Sequence, residues 1–154
     1  MRILVWNMRR ATYKSDEVWD YFQEIDPDVA LLQEVGSLPE SLSRDYALVQ
    51  RNAYAGNGNQ QRFSTCLLVN GSVISQLQFS TPWDWVNEEL ENFAGNLVGA
   101  EISVQNDMTF RAISVYSPAW PKFDRQRLNE VDATDIKLKN NPDVCLTEIL
   151  WAAL

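Results

Sequence analysis

Arg2-Ile-Leu-Val-Trp-Asn7 and Asp26-Pro-Asp-Val-Ala-Leu-Leu-Gln-Glu34 are two short apolar runs, each ending in a polar side chain. Ile3, Leu4, Val5 and Trp6 form a continuous apolar stretch, the pattern of a strand buried on both faces, and Val29, Ala30, Leu31 and Leu32 repeat it. Between them Ser15 is placed to cap a helix whose first turn carries Asp16 and Glu17, favourable at the positive end of the dipole, with Val18, Phe22 and Ile25 at helical spacing. Asp26-Pro27 stops that helix, because the residue before a proline is driven out of the helical region. Strand, helix, strand over residues 2–34 sets the class as mixed α/β.

Outward from this unit, apolar runs at 46–52 and 63–69 flank the turn-forming stretch 53–60, which predicts two antiparallel strands, and residues 72–79 extend the same sheet. Two more strands are expected at 96–104 and 108–116 around an Asn106-Asp107 turn, with Phe110, Ala112 and Ser114 alternating against Arg111, Ile113 and Val115. Residues 82–93, acidic and aromatic together, fit a loop, a short helix or a strand edge. Helical patterns occupy 123–139 and 143–154, the last ending on Ile149, Leu150, Trp151 and Leu154 without a closing Gly, Lys or Arg. No repeat or linker divides the chain, so residues 1–154 read as one domain with mixed, largely antiparallel sheets.

Composition narrows the partners. An apolar content of 45% with six Trp, five Tyr and six Phe is too rich in core-forming side chains for a disordered chain. At 154 residues, one domain buries roughly 70% of its unfolded surface. The formal charge of -8 opposes phosphate neutralisation and so disfavours a general nucleic-acid coat. A divalent cation, being the largest local charge in its site, tolerates acidic surroundings. Cys66 and Cys145 lie far apart, and Cys66 sits in an apolar run, so no structural disulfide is implied. The apolar amino terminus is too short for a signal peptide and no membrane span is present, so the chain reads as soluble and cytoplasmic.

Arg2-Ile-Leu-Val-Trp-Asn-Met8 and Asp26-Pro-Asp-Val-Ala-Leu-Leu-Gln-Glu-Val35 resemble the two opening motifs of the endonuclease/exonuclease/phosphatase superfamily. Ile113-Ser-Val-Tyr-Ser-Pro118 is similar to the family strand that ends in Tyr-x-Pro near the phosphate. The resemblance implies a four-layer α/β/β/α sandwich, with Glu34 binding magnesium (or manganese) and Asn7 organising the same metal site. Such a hard cation takes carboxylate and amide oxygens and keeps several waters. The resemblance sets Tyr116 beside the scissile phosphate, where its phenol can donate to a phosphate oxygen. Arg9 and Arg10 follow Asn7, and Arg125 and Arg127 follow the Tyr116 strand, so both pairs are candidates to clamp a phosphate ester. Taken singly, Glu34 reads as a solvated carboxylate, Asn7 as a turn residue and Tyr116 as a half-buried strand aromatic. Their joint spacing is what favours a site.

The family's later Gly-Asp-x-Asn strand and closing Asp-His pair have no counterpart, and the sequence contains no His. The expectation is therefore the amino-terminal part of a metal-dependent phosphoesterase, truncated before the second half of the fold, inactive alone and prone to self-association through the unfinished fold. The alternative is a degenerate, noncatalytic interaction module with the same half-fold. The substrate class among phosphodiesters and phosphomonoesters is left open.

Overall fold

A computed structural model of the chain describes residues 1–54, 59–92, 94–105 and 108–116. The chain divides into two compact units, of which Met1–Gln78 with Phe93–Tyr116 holds all the described strands. In that unit the elements run β1 (Ile3–Asn7), α1 (Asp16–Ile25), β2 (Val29–Val35), α2 (Glu40–Asp45), β3 (Ala47–Tyr54), β4 (Gln60–Val69), β5 (Ser72–Gln76), β6 (Leu97–Val104) and β7 (Met108–Val115). A four-stranded sheet has the order β1-β2-β4-β3, with β1 parallel to β2 and the other pairs antiparallel. An antiparallel three-stranded sheet has the order β5-β6-β7.

Alternation along β2 builds three layers. Ala30 and Leu32 meet Trp19 and Phe22 of α1, together with Leu42 of α2 and with Cys66 and Leu68 of β4. Val29, on the opposite face, joins Leu67, Val69 and Val49 against Val98, Ala100, Ile102 and Ala112 of the second sheet. The result is helix on sheet on sheet, a mixed α/β arrangement with mostly antiparallel strands, as the sequence predicts. The helical patterns at 123–139 and 143–154 and the Asn106-Asp107 turn lie outside the described residues.

Four local expectations need correction. Residues 72–79 do not extend the sheet of β3 and β4: β5 pairs with β6 in the second sheet. β1 is an edge strand in which Leu4 and Trp6 are half-buried, whereas Ile3 and Val5 are 51% and 65% exposed, so only one of its faces is covered. An apolar run alone does not distinguish a central strand from an edge. Ser15 occupies the position before α1 but makes no side-chain cap. Its hydroxyl instead accepts the Thr12 N–H at 3.1 Å, tightening the preceding turn. Residues 82–93, undecided in sequence, contain helix α3 (Asp84–Asn92) of the other unit. Thr81 and Asn87 fix its start by reciprocal bonds: Asn87 Oδ1 accepts the Thr81 N–H at 2.7 Å, and Asn87 Nδ2 donates to the Thr81 carbonyl at 2.9 Å. No helix among the described residues is long and apolar enough to cross a membrane.

Candidate metal and phosphate site

Backbone bonds carry the ends of β1 and β2 forward together. The Met8 N–H donates to the Gln33 carbonyl and the Arg10 N–H to the Glu34 carbonyl, both at 2.7 Å, so the loop after β1 follows the end of β2. The loop is closed from below by Trp19 of α1, whose indole N–H donates to the Thr12 carbonyl at 2.7 Å. Gly36 fits under it: a Cβ there would stand 2.6 Å from the Arg10 carbonyl oxygen and 2.9 Å from that of Ala11. Only a residue without a side chain permits this approach.

On the partner side, Leu32 opposes Cys66 but Val35 opposes Ser64, so Gln33 and Glu34 together face Thr65. This bulge re-aims the side chains next to it. Glu34 takes a left-handed φ of 52°, and Arg9 and Arg10 in the facing loop have φ of 47° and 65°. Among the described residues, three of the four non-glycine residues with positive φ thus lie at the facing ends of β1 and β2; the fourth, Asp26, caps α1. Such conformations cost roughly 1–3 kcal/mol each and persist where the surroundings over-determine them.

The side chains converge at the same point. Asn7 Nδ2 donates to Glu34 Oε1 at 3.2 Å, while Asn7 Oδ1 accepts the Arg9 N–H at 2.9 Å. Asn7 therefore orients the carboxylate with its NH2 and spends its oxygen on the loop. The Tyr116 phenol, after β7, lies near the Glu34 carboxylate. Burial pushes the Tyr116 pKa up, the neighbouring Glu34 carboxylate pushes it further, and Arg10 opposes the shift. Asn96 grips the Tyr116 backbone, accepting its N–H at 2.8 Å and donating Nδ2 to its carbonyl at 3.0 Å. Phe63 packs edge-on against the Tyr116 ring with centroids 5.5 Å apart, and the Arg10 guanidinium lies 5.6 Å from the Phe63 centroid.

Asn7, Glu34, Tyr116 and the Arg9–Arg10 loop are thus brought together in one unit of the chain. Arg125 and Arg127 lie outside the described residues. Glu34 is half-buried and presents carboxylate oxygens at a strand end, a donor set suited to supply one protein ligand to a magnesium- or manganese-sized cation. No group of three His, Cys, Asp or Glu side chains gathers among the described residues. Residues not singled out in sequence support the site. Gln33 is 8% exposed and donates to Ser114 Oγ of the second sheet at 3.0 Å, pinning the end of β2 to β7 beside Tyr116. A glutamine inside an apolar run was its signal; Asn96 and Phe63 carried none.

No family model matches the chain, and no curated protein matches it. Among solved structures it is similar to the "Endonuclease domain of TRAS1, a telomere-specific non-LTR retrotransposon", at 16% identity and a TM-score of 0.44, over 92% of this chain and 55% of that one. The chain therefore spans about 55% of that domain's length, and a likeness at this level assigns neither an activity nor a residue role.

Proposed function

We propose that the chain carries the opening part of a divalent-metal phosphoesterase site of the endonuclease/exonuclease/phosphatase type. Glu34 is the protein ligand to magnesium or manganese, Asn7 is the positioning residue that aims it, and Tyr116 presents its phenol to a phosphate oxygen. The observation that carries this reading is one carboxylate on a left-handed backbone, held by Asn7 and flanked by Tyr116. A solvated surface glutamate has no need of a bulge, a left-handed backbone and a side chain that fixes it. When bound, the cation would supply Lewis acidity that neutralises the phosphate. The chain's own part is to fix the carboxylate, offer the Tyr116 proton and border the pocket with Arg9 and Arg10 as counter-charges.

The chain offers no His, and its described residues offer no second carboxylate beside Glu34 in a three-ligand group. Without counterparts of the Gly-Asp-x-Asn strand and the Asp-His pair, the 154-residue chain should turn over a generic phosphodiester, a nucleotide and an abasic-site duplex at background with magnesium or manganese. One missing electrostatic donor alone costs about 100- to 1,000-fold, and several act here as a unit. Robust turnover that disappears in Glu34→Ala would overturn the partial-site reading. The second reading is a noncatalytic interaction module with the same half-fold; that reading predicts no cation bound at Glu34.

A further inference from the structure

An open cleft of about 480 Å³ lies beside the Glu34 site, lined by Arg10 and Thr12 of the loop after β1, Asn52 of β3, and Gln60, Gln61 and Arg62 of β4. The chain carries a net charge of -8, yet the lining contains two guanidiniums and no carboxylate. Neither Arg10 nor Arg62 belongs to an ion pair among the described residues, whose pairs are Met1–Asp28, Arg2–Asp26 and Arg44–Glu40. Two guanidiniums without an ion-pair partner among the described residues line one concavity, a setting that favours an anion. Asn52 and Gln60 add amide groups that make no hydrogen bonds of their own among the described residues, and so are available to a ligand rich in donors and acceptors.

The cleft reads charge and hydrogen bonding, not an aromatic face. Its one ring, Phe63, is 5% exposed, with Arg10 on one side and Tyr116 edge-on. Those same contacts join the cleft to the candidate metal site: Glu34 to Tyr116, Tyr116 to Phe63, Phe63 to Arg10. A ligand with one phosphate at Glu34 would extend its neighbouring groups into this cleft.

We propose that the cleft is a second anion subsite, in which Arg10 and Arg62 hold a phosphate other than the one at Glu34, so that the substrate carries at least two phosphate groups. The proposal rests on the phosphoesterase reading for the identity of the first phosphate, whereas the subsite itself is separable from it. Two sources share this chemistry, an oligonucleotide strand and a free nucleoside diphosphate.

Equilibrium titrations of the full 154-residue chain at low salt, in excess chelator, test the subsite without a metal. The probes are inorganic phosphate, a 5′-phosphorylated dinucleotide and a nucleoside diphosphate. At least one two-phosphate probe should bind about tenfold or more tighter than inorganic phosphate, and Arg62→Gln should weaken it by about ten- to a hundredfold, the worth of a hydrogen bond to a charged group. Arg62→Lys, which keeps the charge without the fork, should fall between. Whichever two-phosphate probe binds better identifies the source. Glu34→Ala should not weaken this metal-free binding, although it should abolish manganese binding. Loss of the second effect alone would sink the phosphoesterase reading and leave the subsite standing. Two-phosphate probes that bind no better than inorganic phosphate, or equally well to wild type and a folded Arg62→Gln, would overturn the subsite.

Discussion

Glu34 holds its carboxylate in place with a backbone that an L-residue rarely adopts, and this makes a testable contrast. Glu34→Ala and Glu34→Gly both remove the carboxylate and its hydrogen bond to Asn7. Only glycine relieves the left-handed φ, whose cost is about 1–2 kcal/mol for other residues. Urea unfolding should therefore find Glu34→Gly about 1 kcal/mol more stable than Glu34→Ala, the reverse of their usual order within a strand. Tyr116 gives a second readout. Its folded-state pKa lies above the ordinary 10.0, so the folded protein holds the phenolic proton more tightly than the unfolded chain. That stabilisation is complete below pH 10 and is lost as the pH rises through the folded value. In Glu34→Gln the Tyr116 titration, followed by its ring carbon shift, should fall toward the ordinary value but stay above it, because burial is the largest cause. An unmoved titration would contradict the pairing. At this scale the sequence pointed to Asn7, Glu34 and Tyr116 through two strand ends and one Tyr-x-Pro resemblance. It said nothing of Arg62, since an arginine among glutamines at the start of a strand has the pattern of a solvated edge.

Among the elements, β2 decides most, because it is central in its sheet, feeds both cores and carries the bulge. The bulge was not legible: apolar runs reveal that a strand is buried but not where its register slips, which is set by the partner strand. Nor was the single covered face of β1, which depends on sheet order. The strand, helix, strand unit and both antiparallel pairs were legible, because periodicity and Asp26-Pro27 act locally. The bulge also leaves a mark on β4. Thr65 is fully buried opposite Gln33 and Glu34, and its Oγ1 has no hydrogen-bond partner among the described residues. A buried hydroxyl without a partner costs about 1–3 kcal/mol. Thr65→Val, nearly identical in shape, should raise stability by about 1 kcal/mol in denaturant unfolding; a loss of stability would mean that the hydroxyl is satisfied in solution.

Among the described residues, an acidic chain brings two arginines without ion pairs into one cleft beside a half-buried glutamate, with left-handed backbone at Arg9, Arg10 and Glu34. Net charge was a poor guide to this distribution, since it averages over the whole sequence and does not reveal that Arg10 and Arg62 line one cleft without a carboxylate. The central claim is that Glu34 receives a divalent cation, and the most direct measurement is manganese-induced broadening of amide NMR signals in the 154-residue chain. Substoichiometric manganese should broaden the signals of Asn7, Glu34 and Tyr116 first, and Glu34→Ala should abolish that pattern. Broadening centred on the acidic first turn of α1, at Asp16 and Glu17, or a pattern at Asn7 and Tyr116 that survives Glu34→Ala, would contradict the account.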